Sequence, residues 1–133
     1  MPTVYLTRIV EFNATHRLGT PETFGKGAKE HGHQYQCRVT LTGKVEPARG
    51  GVMDLKALDA LLDREIKAPL DHKSINDALP RFGTGKDAWI PTGEALAVYV
   101  WERLASQLPS GVKLHAVRIQ ESPHLYSEYF GEA

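Results

Sequence analysis

With sixteen acidic and sixteen basic side chains in 133 residues, the chain carries no formal net charge at pH 7 when its histidines are neutral. No global field therefore draws it to nucleic acid or to an anionic membrane. A single cysteine, Cys37, excludes an internal disulfide and a cysteine-based structural metal site. No apolar run approaches the ~20 residues that span a bilayer, and MPTVYLTRIVEF leads straight into strand-like alternation rather than a charged and then apolar leader. The expectation is a soluble, cytoplasmic protein with one domain over residues 1–133.

From Val4 to Arg17 the residues are β-prone and alternate, with Phe12, Ala14 and His16 on one face and Glu11, Asn13 and Thr15 on the other. Leu18 to Glu30 holds three glycines, a proline and two lysines, which predicts a long, mobile surface connection. His31 to Val45 resumes the alternation, with Tyr35, Cys37, Val39 and Leu41 on the face of His31 and His33, until EPARGG breaks the strand. Asp54 is placed to cap a helix whose Leu55, Leu58, Leu62 and Ile66 recur at three- and four-residue intervals. After Pro69 comes a polar stretch rich in glycine and proline, ending where Thr92 caps a second helix that reaches the neighbourhood of Leu108. Its stripe of Leu96, Val100, Trp101, Leu104 and Leu108 reads as core. Leu114 to Glu121 and Leu125 to Phe130 are two short strands joined through Ser122, Pro123 and His124. The order β-β-α-α-β-β predicts an α+β fold, an antiparallel four-stranded sheet with two helices on one face. Such a sheet has two free edges, which need cover or pairing with further copies.

Residues two apart in a strand project to one face, so His31 and His33 point together and a neighbouring strand adds His16. Three neutral imidazoles with an open fourth position are a way of holding a catalytic zinc ion. Taken singly, each histidine reads as a surface or hydrogen-bonded residue; the joint pattern, three of six histidines in one hairpin, favours a centre. Three further segments hold polar residues that a core does not explain: Asp71-His72, Pro91-Thr92-Gly93-Glu94 and Glu121. Each has a structural alternative, namely a carboxylate capping a turn, helix-start chemistry, and a solvated carboxylate at a strand end.

Five segments in chain order carry a resemblance over nearly the whole sequence: Phe12-Asn13-Ala14-Thr15-His16, His31-Gly32-His33-Gln34-Tyr35, Leu70-Asp71-His72, Pro91-Thr92-Gly93-Glu94, and Val117 through Glu121. They resemble the motifs of the 6-pyruvoyltetrahydropterin synthase and 6-carboxytetrahydropterin synthase family. That resemblance implies a T-fold, in which three subunits close a β-barrel and two rings stack into a homohexamer. It implies zinc on His16, His31 and His33, a pterin ring anchored by Glu121 with help from the Thr92 segment, and Asp71 with His72 as the pair that activates the family's cysteine base and that remains as the acid-base pair where this cysteine is missing. The implied substrate is 7,8-dihydroneopterin triphosphate, which loses triphosphate. The first implied role is 6-carboxy-5,6,7,8-tetrahydropterin synthase in queuosine (7-deazaguanine) biosynthesis. The alternatives are 6-pyruvoyltetrahydropterin synthase, a side-chain-cleaving relative of the folate branch, and a non-catalytic pterin-binding paralogue.

The family's usual cysteine, four residues before the first histidine of H-G-H, is Gly27 here. Cys37 stands four residues beyond His33, about 13 Å along a strand and out of proton-transfer reach. Glu30, which faces away from His31 in a regular strand, and Glu22 are the carboxylates left to replace the thiol, and Lys26 and Lys29 are placed to attract a triphosphate.

Overall fold

In chain order the computed structural model, which describes residues 1–19 and 21–132, contains β1 (Thr3–His16), α1 (Pro21–Phe24), β2 (His31–Lys44), α2 (Leu55–Leu62), α3 (Ala68–Leu70), β3 (Lys73–Ser74), α4 (Ile75–Ala78), α5 (Gly93–Leu104), β4 (Lys113–Ser122) and β5 (Leu125–Tyr129). Alternation explains the long strands. Phe12, Ala14 and His16 on β1, and Tyr35, Cys37, Val39 and Leu41 on β2, are buried on one face. β1 and β2 pair antiparallel without a break from Thr3 opposite Lys44 to His16 opposite His31. Because one face is buried, a one-residue slip would turn every apolar side chain to solvent, so the register is fixed along the whole ladder. β4 adds Val117 and Ile119 to the same face.

Both main helices cover that face. The Asp54 carboxylate accepts the Lys56 N–H at 3.2 Å and starts α2; Thr92 Oγ1 accepts the Ala95 N–H at 3.1 Å and starts α5. Each such cap satisfies an N–H that the helix itself leaves free, contributing about 1 kcal/mol. Leu58, Leu61, Leu62 and Ile66 from the first helical segment join Leu96, Ala97, Val100 and Leu104 from α5 in one apolar core with the sheet. Truncating a fully buried member such as Ile66 to alanine costs about 2–5 kcal/mol.

Three features differ from the sequence expectations. The sheet has five strands, in the order β3-β1-β2-β4-β5, and the added β3 pairs parallel with β1 at Ala14 and Thr15. Within one chain the sheet is open, with β5 at one edge. The first helix does not stop at Pro69. It widens into a π-turn over Asp63–Lys67 and continues through α3 to Leu70. Proline lacks an N–H and its ring crowds the carbonyl four residues earlier, and the wider turn relieves both problems. Finally, the connection before β2 is not featureless: α1 and a 3₁₀ turn over Gly25–Ala28 fold it back, and the Leu18 N–H donates to the Gly27 carbonyl at 2.8 Å. Among the described residues no helix is long and apolar enough to cross a membrane.

Candidate metal centre

The last pair of the β1–β2 ladder is His16 opposite His31, and His33 lies two residues along on the same face. One ring nitrogen from each of the three lies within 4.8 Å of the others. His16 is fully buried. Its Nδ1 lies 2.8 Å from the Pro91 carbonyl, and His31 Nδ1 lies 2.8 Å from the Lys29 carbonyl. A carbonyl only accepts, so both Nδ1 atoms carry the proton and both Nε2 atoms present a lone pair. These two Nε2 atoms are 3.0 Å apart. Facing lone pairs at that distance repel unless a cation sits against both, and nitrogen donors about 3.3 Å apart are the edge of a tetrahedron with Zn–N bonds of about 2.0–2.1 Å. The three-nitrogen donor set fits a borderline transition metal such as zinc rather than an oxygen-seeking hard cation. The backbone carbonyls are the groups that set the tautomer in such centres.

Electrostatics agree with neutral ligands. Burial, reinforced by His31 and His33, lowers His16 from its ordinary value to about 4, against the opposing hydrogen bond to Pro91. Burial and then His31 lower His33. Tyr35 Oη lies 3.2 Å from His16 Nδ1, and its ring stacks on Phe12 with centroids 5.0 Å apart, fixing the floor beneath the histidines.

Glu121 stands beside this cluster. Two β4 residues pass while β5 advances one between Gln120 and Ser122, so Glu121 occupies a bulge, a device that re-aims a side chain. Its Oε1 is 3.9 Å from His16 Nε2. The carboxylate is 8% exposed and accepts no hydrogen bond among the described residues. Burial first, and Glu94 second, raise its pKa above the usual carboxylate value. His33 lines two adjoining clefts: one of about 540 Å³ reaches His72 and Ser74, and the other of about 410 Å³ reaches Glu121 and Gln120.

The remaining sequence candidates divide. Asp71 accepts the Asn13 N–H at 2.9 Å, and its other oxygen is 3.6 Å from His72 Nε2. His72 adopts the left-handed conformation at φ 61° and leaves its side chain 79% exposed over the cleft. Thr92 spends its hydroxyl on the α5 cap. Glu30 is held by Thr15 Oγ1 and by Arg17 at 2.6 Å. Glu22 is exposed on α1. Cys37 is sealed in the core, and burial pushes its thiol up to about 12. A Cβ on Gly27 would lie 3.8 Å from His31 Cε1 and 3.3 Å from Leu18 Cδ1, so that position abuts the centre and supplies no side chain to it. The sequence reading did not find the Pro91 and Lys29 carbonyls, because backbone acceptors leave no residue-type signal.

An α+β chain with three histidines that could hold a metal ion at one end of its longest strand pair, flanked by a buried carboxylate, has the architecture of a T-fold protein. Residues 5–132 match the family model described as 6-pyruvoyl tetrahydropterin synthase, and the chain belongs to that family. It is 36% identical to the 6-pyruvoyl tetrahydrobiopterin synthase of Poecilia reticulata over 96% of this chain and 90% of that one. It is 33% identical to a 6-carboxy-5,6,7,8-tetrahydropterin synthase of Synechocystis over 90% of this chain and 87% of that one. The solved 6-pyruvoyl tetrahydropterin synthase of Caenorhabditis elegans superposes with a TM-score of 0.88 at 33% identity, covering 99% of this chain and 98% of its own.

Proposed function

We propose that this protein is a zinc-dependent enzyme that takes 7,8-dihydroneopterin triphosphate and releases triphosphate, forming 6-carboxy-5,6,7,8-tetrahydropterin for the queuosine (7-deazaguanine) route in the cytoplasm. The observation that carries this reading is the pair of Nε2 lone pairs held 3.0 Å apart beside a buried carboxylate without a hydrogen-bond donor. His16, His31 and His33 are the residues that would hold zinc, which when bound supplies a Lewis acid that acidifies the hydroxylated side chain of the substrate. Glu121 takes the amino and ring N–H groups of the pterin on its two oxygens, a match that satisfies the carboxylate and fixes the ring's orientation. His72, exposed over the cleft that His33 also lines, moves the proton, and Asp71 beside it orients the imidazole. Neither Gly27 nor the sealed Cys37 offers a thiolate, so this role falls to the Asp71-His72 pair. Thr92 serves the pterin through the backbone of the turn it caps.

A second reading, 6-pyruvoyltetrahydropterin as the product, draws support from the relatives that carry that name. The unpaired edge of β1 before Ala14, where Tyr5 and Ile9 are exposed, and the β5 edge at Leu125 and Tyr126 support association through sheet edges. We propose a homohexamer of two stacked three-subunit rings, the assembly that the family resemblance implies and one that would pair these edges.

The test is mass-spectrometric product analysis of zinc-loaded protein incubated with 7,8-dihydroneopterin triphosphate. A carboxypterin product upholds the main reading, and a pyruvoyl or hydroxymethyl product transfers it to another branch. Unchanged substrate with zinc and pterin both bound makes the protein a binding paralogue. His31→Ala is expected to abolish zinc retention, and equal metal content in the two proteins would overturn the metal assignment.

A further inference from the structure

α5 begins with a glycine that its backbone does not require. Gly93 is the first helical residue after the Thr92 cap, its φ lies outside the left-handed region, and a helical position ordinarily favours alanine. Its surroundings do require it. A Cβ on residue 93 would lie 2.7 Å from Glu121 Oε2, 3.3 Å from Glu121 Cδ and 3.3 Å from Ser127 Oγ. Gly93 is buried, so an added methyl has no open side to occupy. Glu121 is confined from other directions as well, by the bulge that carries it and by His16 Nε2 3.9 Å from Oε1. The clash falls on the far end of a rotatable side chain, so a methyl group turns the carboxylate without breaking the fold.

We propose that Gly93 is the positioning residue for Glu121: the volume of its missing side chain is where the carboxylate sits, and this sets the direction in which both oxygens meet a pterin. The inference rests on the reading of Glu121 as the pterin anchor. A bidentate contact needs both oxygens in line with two N–H groups, so a displacement on the order of an ångström disrupts it.

The test is a fluorescence titration of neopterin into zinc-loaded wild type, Gly93→Ala, Glu121→Ala and the double variant. Gly93→Ala is expected to weaken binding by about 10- to 100-fold while circular dichroism and zinc content stay at wild-type values. In the Glu121→Ala background the same substitution is expected to cost nothing further, because the group it acts through is gone. Unchanged affinity in Gly93→Ala, or an equal loss in both backgrounds, would overturn the proposal. If Glu121→Ala weakens binding and Gly93→Ala does not, the positioning role alone falls. If Glu121→Ala binds as tightly as wild type, the anchor reading falls and this inference with it. Should Gly93→Ala fail to fold, Glu121→Asp, whose carboxylate is withdrawn by one methylene, gives a second background. There the added methyl is expected to be tolerated, and a full-sized loss would overturn the proposal.

Discussion

Glu65 and Glu121 are both buried carboxylates, 7% and 8% exposed, and their surroundings are opposite. Glu65 sits in the π-turn and accepts Arg103 Nε at 2.9 Å, Arg103 Nη2 at 2.6 Å and Arg64 Nε at 3.2 Å. Hydrogen bonds from Gln107, Arg103 and Arg64 hold its pKa below the usual carboxylate value. Glu121 has no donor among the described residues, and burial together with Glu94 holds its pKa above that value. A buried charge is tolerated when paired and costs stability when bare. Glu65 therefore spends its charge on joining the first helical segment to α5, whereas Glu121 keeps its oxygens free for a ligand with two N–H groups.

Removing each carboxylate separates the two roles. Glu121→Ala is expected to weaken neopterin binding by about 100-fold, the equivalent of about 2.7 kcal/mol, with zinc content unchanged; fluorescence titration and metal analysis check both parts. Its thermal stability is expected to hold or rise, because a bare buried charge has gone. Glu65→Gln is expected to do the reverse, lowering stability in urea denaturation by about 1–2 kcal/mol while leaving zinc and neopterin binding intact. The figure is set low because Arg103 is half exposed and its attraction is screened.

The pH dependence sharpens the contrast. With the folded pKa of Glu65 below its ordinary value of 4.5, the unfolded chain takes up the proton first as pH falls. The Glu65 contribution is thus fully present above 4.5 and lost as pH falls through the depressed folded value. The stability gap between wild type and Glu65→Gln is expected to close in that acidic window, and a gap that persists there would show that the clamp acts through packing rather than charge. The smallest effect belongs to the helix start beside Glu121. Thr92→Ala is expected to cost about 1 kcal/mol of stability, read from a denaturant midpoint. Its effect on neopterin affinity is expected to stay below that of Gly93→Ala, since its hydroxyl is committed to the Ala95 N–H.

Alternation and spacing in the sequence determined the two long strands, both helix caps, the core face from Phe12 to Leu41 and the grouping of His16, His31 and His33. These were legible because a strand repeats every two residues and a helix every 3.6, so the face of each side chain follows from its position. The short β3, the π-turn before Pro69 and the folded connection before β2 were not, since each depends on pairing or crowding with groups far along the chain. The tautomers of His16 and His31, the isolation of Glu121, the capture of Glu30 by Arg17 and Thr15, and the steric demand for Gly93 belong to the tertiary structure alone. They are properties of what surrounds a residue, and burial and hydrogen-bond partners are decided only when distant segments meet.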